Sequence, residues 1–109
     1  MEALLTLTGT YTKAHLEACL RRLENERRKL IGEIEASEER RVELEKLIEG
    51  QESGEAWTLY QTMPDEELIS DARINILEIE KQVAFLKGRL AGLDDHEKCL
   101  KFMQTYFVG

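Results

Sequence analysis

A single proline, seven glycines and two cysteines stand among the 109 residues of this chain. So little punctuation argues against a protein built of many short strands and tight turns. Two cysteines are too few for a disulfide framework, and no other feature points to an oxidising compartment. No apolar run approaches the ~18 residues of a membrane span. The opening Met1-Glu2-Ala3-Leu4-Leu5-Thr6-Leu7 lacks the basic flank and long apolar stretch of a secretory signal. The cytoplasm is therefore the expected location, without a membrane partner. Glycine-rich phosphate loops are missing too, and no spacing carries a catalytic signature, so neither enzymatic activity nor a cofactor is expected.

What the chain does contain is 42% hydrophobic and 34% charged residues. The charged share exceeds the ~25% of an average globular domain, while the apolar share is ordinary. That combination excludes a disordered tail and points to long amphipathic helices. The 22 acidic and 15 basic side chains give a formal charge of −7, which disfavours direct nucleic-acid binding.

Two heptad patterns follow. In the first, Leu16, Leu23, Leu30, Ser37 and Leu44 take d positions, and Leu20, Arg27, Ile34, Arg41 and Ile48 take a positions. This is a coiled-coil seam interrupted by two arginines and a serine. Thr12 is the expected N-cap and Gly50 the expected stop. In the second, Ile69, Ile76, Val83 and Leu90 are a positions, and Ala72, Ile79, Leu86, Leu93 and Leu100 are d positions, with a break at Glu97. Thr62 supplies a capping hydroxyl, Pro64 a first-turn proline, and Asp65, Glu66 and Glu67 face the positive end of the helix dipole.

The fold class expected is all-α: one domain over residues 1–109, an antiparallel two-helix coiled-coil hairpin. Its helices run over about 12–50 and 64–105, with a tip linker at 51–63. On the e edge the direct pairs are Glu17 with Lys101, Glu24 with Asp94, Ile31 with Lys87, Glu38 with Glu80 and Glu45 with Arg73. On the g edge Glu26 meets Arg89. Attraction and repulsion are mixed, so the apolar seam sets the pairing. The seam arginines lay their stems over apolar surface and send their heads to water; at the seam edge Asp94 or Glu97 would also suit Arg27, and Glu80 would suit Arg41.

Off its seam the second helix carries Leu68, Ile74, Leu77, Ala84 and Phe85, with Gly88 nearby. Ile74 and Leu77 fall at f and b positions, which a two-helix hairpin leaves in water. A second apolar stripe and a thin core predict a homodimer in which these faces meet, a four-helix assembly with the first helix outside. The linker holds Trp57, Leu59, Tyr60 and Met63 between acidic flanks. They either anchor a protein partner or close the open end of the core, on a short helix capped by Ser53 or in an extended segment. Leu4, Leu5, Leu7 and Tyr11 at one end, and Phe102, Met103, Tyr106, Phe107 and Val108 at the other, make unusually apolar termini.

His15 with Cys19, and His96 with Cys99, form two pairs that the hairpin brings to one end. Cys19 and His96 sit at g positions, while His15 and Cys99 point outward from c positions. Four ligands so arranged do not converge on one ion, and no metal is expected. The function these features predict is a non-catalytic protein–protein interaction module, such as an adaptor, assembly subunit or small chaperone. Its partner-binding residues are Trp57, Leu59, Tyr60, Met63, Ile74, Leu77 and Phe85. The alternative is a small acidic inhibitor that blocks a basic nucleic-acid-binding protein.

Overall fold

A computed structural model describes residues 13–106. The expected cap at Thr12 and the apolar residues Leu4, Leu5, Leu7, Tyr11, Phe107 and Val108 lie outside the described residues. The fold is all-α, two long helices packed against each other: α1 is Lys13–Ser53 and α2 is Glu66–Tyr106, 41 residues each. Every seam position named above is buried or half-buried, whereas Ile74, Leu77 and Phe85 are exposed. The 3.5-residue period thus selects one face of each helix, as apolar side chains leave water together.

Two compact units divide the chain: residues 1–31 with 88–109, and residues 32–87. In the first, Leu16, Leu23 and Leu100 form a buried cluster, and Cys19, Leu20, Leu93 and Met103 pack against it half-buried. Its two helical segments run antiparallel, since Leu16 near the start of α1 clusters with Leu100, whereas Glu26, ten residues further along α1, pairs with Arg89, earlier on α2. In the second unit the core is supplied mainly by α2, through buried Ile69, Ala72, Ile79, Val83 and Leu86. The α1 seam there is weaker: Ile34, Leu44 and Ile48 are half-buried, with Ser37 and Arg41 between them. The linker at 54–65 joins the antiparallel helices of this unit.

Both inner helix boundaries differ from expectation. Gly50 does not stop α1, which continues to Ser53 and ends at Gly54 with φ +84°. That left-handed conformation is the one a glycine adopts without a Cβ clash. Gly50 instead lets the linker approach closely. Its carbonyl accepts from Ala56 N–H at 3.2 Å, and a Cβ there would meet the Ala56 Cβ at 3.2 Å. At the other boundary α2 starts at Glu66 rather than Pro64, because Asp65 is the cap. Its carboxylate accepts from Leu68 N–H at 3.1 Å, and its carbonyl from Ile69 N–H at 3.0 Å. Asp is a strong N-cap, and Glu66 and Glu67 follow in the first turn where the helix dipole favours acids. Beyond Ser53 the linker forms two turns and no helix.

Candidate functional site: the linker and the outer face of α2

The linker is built around Gln51, a residue that pattern reading passed over because it belongs to no apolar repeat. It is 7% exposed, and its Oε1 accepts from Gln61 Nε2 at 2.7 Å and from Asp65 N–H at 3.1 Å. Gln61 Nε2 also donates to the Met63 carbonyl at 3.0 Å. The Gln51 carbonyl, one of the orphan acceptors at a helix end, takes the indole Nε1–H of Trp57 at 2.8 Å. Trp57 is half-buried, its ring about 3.4 Å from where a Cβ on Gly54 would sit. A single glutamine therefore ties the end of α1 to the start of α2 through the linker.

On that frame Gln61 N–H donates to the Thr58 carbonyl at 3.1 Å, closing a turn with Leu59 and Tyr60 at its apex. Both are 91% exposed, and Met63 is 68% exposed. The four expected linker anchors thus separate in placement: Trp57 caps α1, while Leu59, Tyr60 and Met63 project into solvent.

Along the outer face of α2, Ile74, Leu77 and Phe85 are 53%, 58% and 65% exposed. Within residues 88–109, Phe102 and Tyr106 are also exposed and stack with ring centroids 4.5 Å apart. Among the described residues, a Cβ on Gly88 or Gly92 would meet no atom within 4 Å.

No protein-family model, curated protein or solved structure matches this chain. Its chemistry is read from its own side chains.

Two of the four polar breaks in the seams find each other. Arg27, at an a position of α1, bonds Glu97, at an a position of α2, and also Asp94 at 2.8 Å and Glu24 at 3.1 Å. Lys101 Nζ lies 2.8 Å from the other Glu97 oxygen. Hydrogen bonds from Arg27 and then Lys101 hold the Glu97 carboxyl down at about 2, and Glu97 in turn raises the Arg27 guanidinium. Arg41 pairs with Glu38 at 2.6 Å on its own helix, and of the two outcomes open to it the pair with Glu80 is not made. On the e edge Lys87 reaches Glu38 at 4.0 Å and Arg73 reaches Glu52 at 2.8 Å. Each basic residue thus pairs one heptad further along α1 than its direct opposite. Long side chains choose a diagonal acid, which gives Glu38 a cation instead of Glu80 alone. The expected pair of Glu26 with Arg89 is present at 3.1 Å.

Of the four candidate metal ligands, His15 Nε2 and Cys19 Sγ lie 3.8 Å apart on one helix face. His96 shares a shallow groove with Cys19, and Cys99 is an exposed free thiol. Among the described residues no three His, Cys, Asp or Glu side chains gather as a metal site. No helix among them is long and apolar enough to cross a membrane.

Charge is divided sharply along the sequence. Residues 32–87 carry 15 acidic and 6 basic side chains, net −9, whereas residues 1–31 and 88–109 carry 7 acidic and 9 basic, net +2. The whole-chain figure of −7 conceals this division. Counting charge by segment finds it in the sequence alone.

Proposed function

We propose that this chain is a non-catalytic, cytoplasmic protein–protein interaction module, an adaptor, assembly subunit or small chaperone, that pairs with a second copy through α2. The two hairpins then form a four-helix assembly with α1 on the outside, and the linker turn engages a further protein. The observation that carries this reading is the solvent-exposed row Ile74, Leu77 and Phe85 on a helix whose opposite face is already buried. One helix with two apolar faces has more to bury than a two-helix hairpin covers. The linker adds support, because Leu59 and Tyr60 are presented on a turn that Gln51, Gln61 and Trp57 hold in place. An ordered apolar apex loses little entropy on docking. Ionised Glu97, the described acid with a displaced pKa, is engaged by Arg27 and Lys101 as a structural ion pair.

Light scattering tests the assembly. The wild-type chain is expected to be a dimer, and a Leu77→Glu, Phe85→Glu variant a monomer with unchanged helical circular dichroism. A wild-type monomer overturns the reading. A second reading is favoured by the net −9 of residues 32–87: an acidic inhibitor that occupies the basic groove of a nucleic-acid-binding protein. It predicts capture of a basic protein that is lost as salt is raised, whereas capture through Leu59 and Tyr60 persists.

A further inference from the structure

We propose that a short line of exposed residues on α2, between 74 and 85, is its own complement. A second copy docks on it antiparallel, with the two-fold axis between residues 79 and 80. This register rests on the dimer proposed above and adds its orientation. Every residue it uses belongs to the one unit of residues 32–87.

Ile74, Glu78, Lys81 and Phe85 are spaced four, three and four residues apart, so they fall in one line along the helix, about 16 Å long. All four are exposed. The line is apolar at both ends, with an acid and a base between. Laid antiparallel on itself, it sets Ile74 of one copy against Phe85 of the other at each end, and Glu78 against Lys81 at the centre. Both couples then occur twice, as an isologous interface requires. Beside the line, exposed Leu77 falls next to exposed Ala84 of the other copy. Large against small lets the helices interdigitate.

Charge selects the antiparallel orientation. Neither Glu78 nor Lys81 has an ion-pair partner among the described residues, so each is available to the other copy. A parallel pair would set Glu78 against Glu78 and Lys81 against Lys81. Like charges face to face disfavour that arrangement. The net −9 of residues 32–87 opposes association over distance, but at physiological ionic strength exposed charges more than about 8 Å apart are screened, and the facing couples decide. A second copy, rather than an unrelated protein, is the occupant because acid and base stand equally far from the centre of the line, as do its two apolar ends.

Charge exchange, read by sedimentation, tests this. Lys81→Glu and Glu78→Lys are each expected to raise the dimer dissociation constant on the order of tenfold, since either swap sets two like-charge couples face to face. Mixing the two variants, or placing both changes in one chain, restores opposite couples and wild-type association. Circular dichroism checks that each variant keeps its helices. Cysteine cross-linking in a Cys19→Ser, Cys99→Ser background gives an independent readout. A disulfide needs Cα atoms about 4.4–6.8 Å apart, which a facing couple meets, whereas like residues at the ends of the line stand about 16 Å apart along it. Ile74→Cys chains mixed with Phe85→Cys chains are expected to link under mild oxidation, and neither variant links to itself. Self-linking of Ile74→Cys, or a dissociation constant unmoved by Lys81→Glu, overturns the register and leaves dimerisation standing. A wild-type chain that sediments as a monomer overturns both.

Discussion

Removing the Gln51 side-chain acceptor cuts the tie from the end of α1 to Gln61 and to the start of α2 at Asp65, while the main-chain carbonyl that Trp57 uses remains. Gln51→Leu keeps similar volume at a site 7% exposed but deletes the oxygen that receives Gln61 Nε2 and Asp65 N–H. Each hydrogen bond contributes about 1 kcal/mol net, and a donor left without a partner costs about 1–3 kcal/mol. The expected loss is therefore about 2 kcal/mol, or more where water fails to reach Asp65 N–H. At about 4–8 °C per kcal/mol for a domain of this size, that lowers the thermal midpoint by roughly 8–16 °C. The chain carries its own local reporter, because its one tryptophan, Trp57, donates to the Gln51 carbonyl. Circular dichroism at the helix band and Trp57 fluorescence, followed together through a urea titration, separate global unfolding from release of the linker. Gln61→Ala closes the cycle: with Gln51→Leu already in place it should add little. An unchanged midpoint and unchanged emission in Gln51→Leu would refute the claim that this residue organises the linker.

Leu30 is 1% exposed, so Leu30→Ala should destabilise by about 2–5 kcal/mol in urea unfolding; a loss below about 1 kcal/mol would show that the site is not packed as described. Gly32 lies inside α1 with no atom within 4 Å of an added Cβ, so Gly32→Ala should stabilise by about 1 kcal/mol, checked by thermal melting. The Glu97 carboxyl is held at about 2, below its ordinary value of about 4.5, so its ionised form favours the fold. That contribution is complete above pH about 4.5 and fades as pH falls toward about 2. The stability difference between wild type and Glu97→Gln should shrink across that window, and a constant difference would count against the ion pair.

Helix identity and seam were legible because they follow from a local rule. Apolar residues every three or four positions create one face that must leave water, and Leu16, Leu23, Ile69 and Val83 are buried as that rule requires. The exposure of Ile74, Leu77 and Phe85 is legible by the same rule, being its complement. Boundaries were read less well. Gly50 and Gly54 are equivalent as letters, and Thr62, Pro64 and Asp65 all suit a helix start. The choice among them depends on where the returning chain finds hydrogen bonds, and Ala56, Trp57 and Leu68 supply those.

By itself the sequence determined two amphipathic helices, their antiparallel return, and the concentration of acidic side chains in residues 32–87. Each depends on spacing or counting along the chain. Tertiary structure alone decided that Arg41 stays with Glu38 on its own helix, that Lys87 and Arg73 choose diagonal acids, and that a glutamine holds the linker. Long polar side chains choose partners by reach and competition in space, which no period along a chain encodes. Trp57 shows the same limit: the sequence leaves it as either a partner anchor or a cover for the open end of the core, and its indole N–H is spent on a helix-end carbonyl, because that acceptor needs a donor once α1 ends.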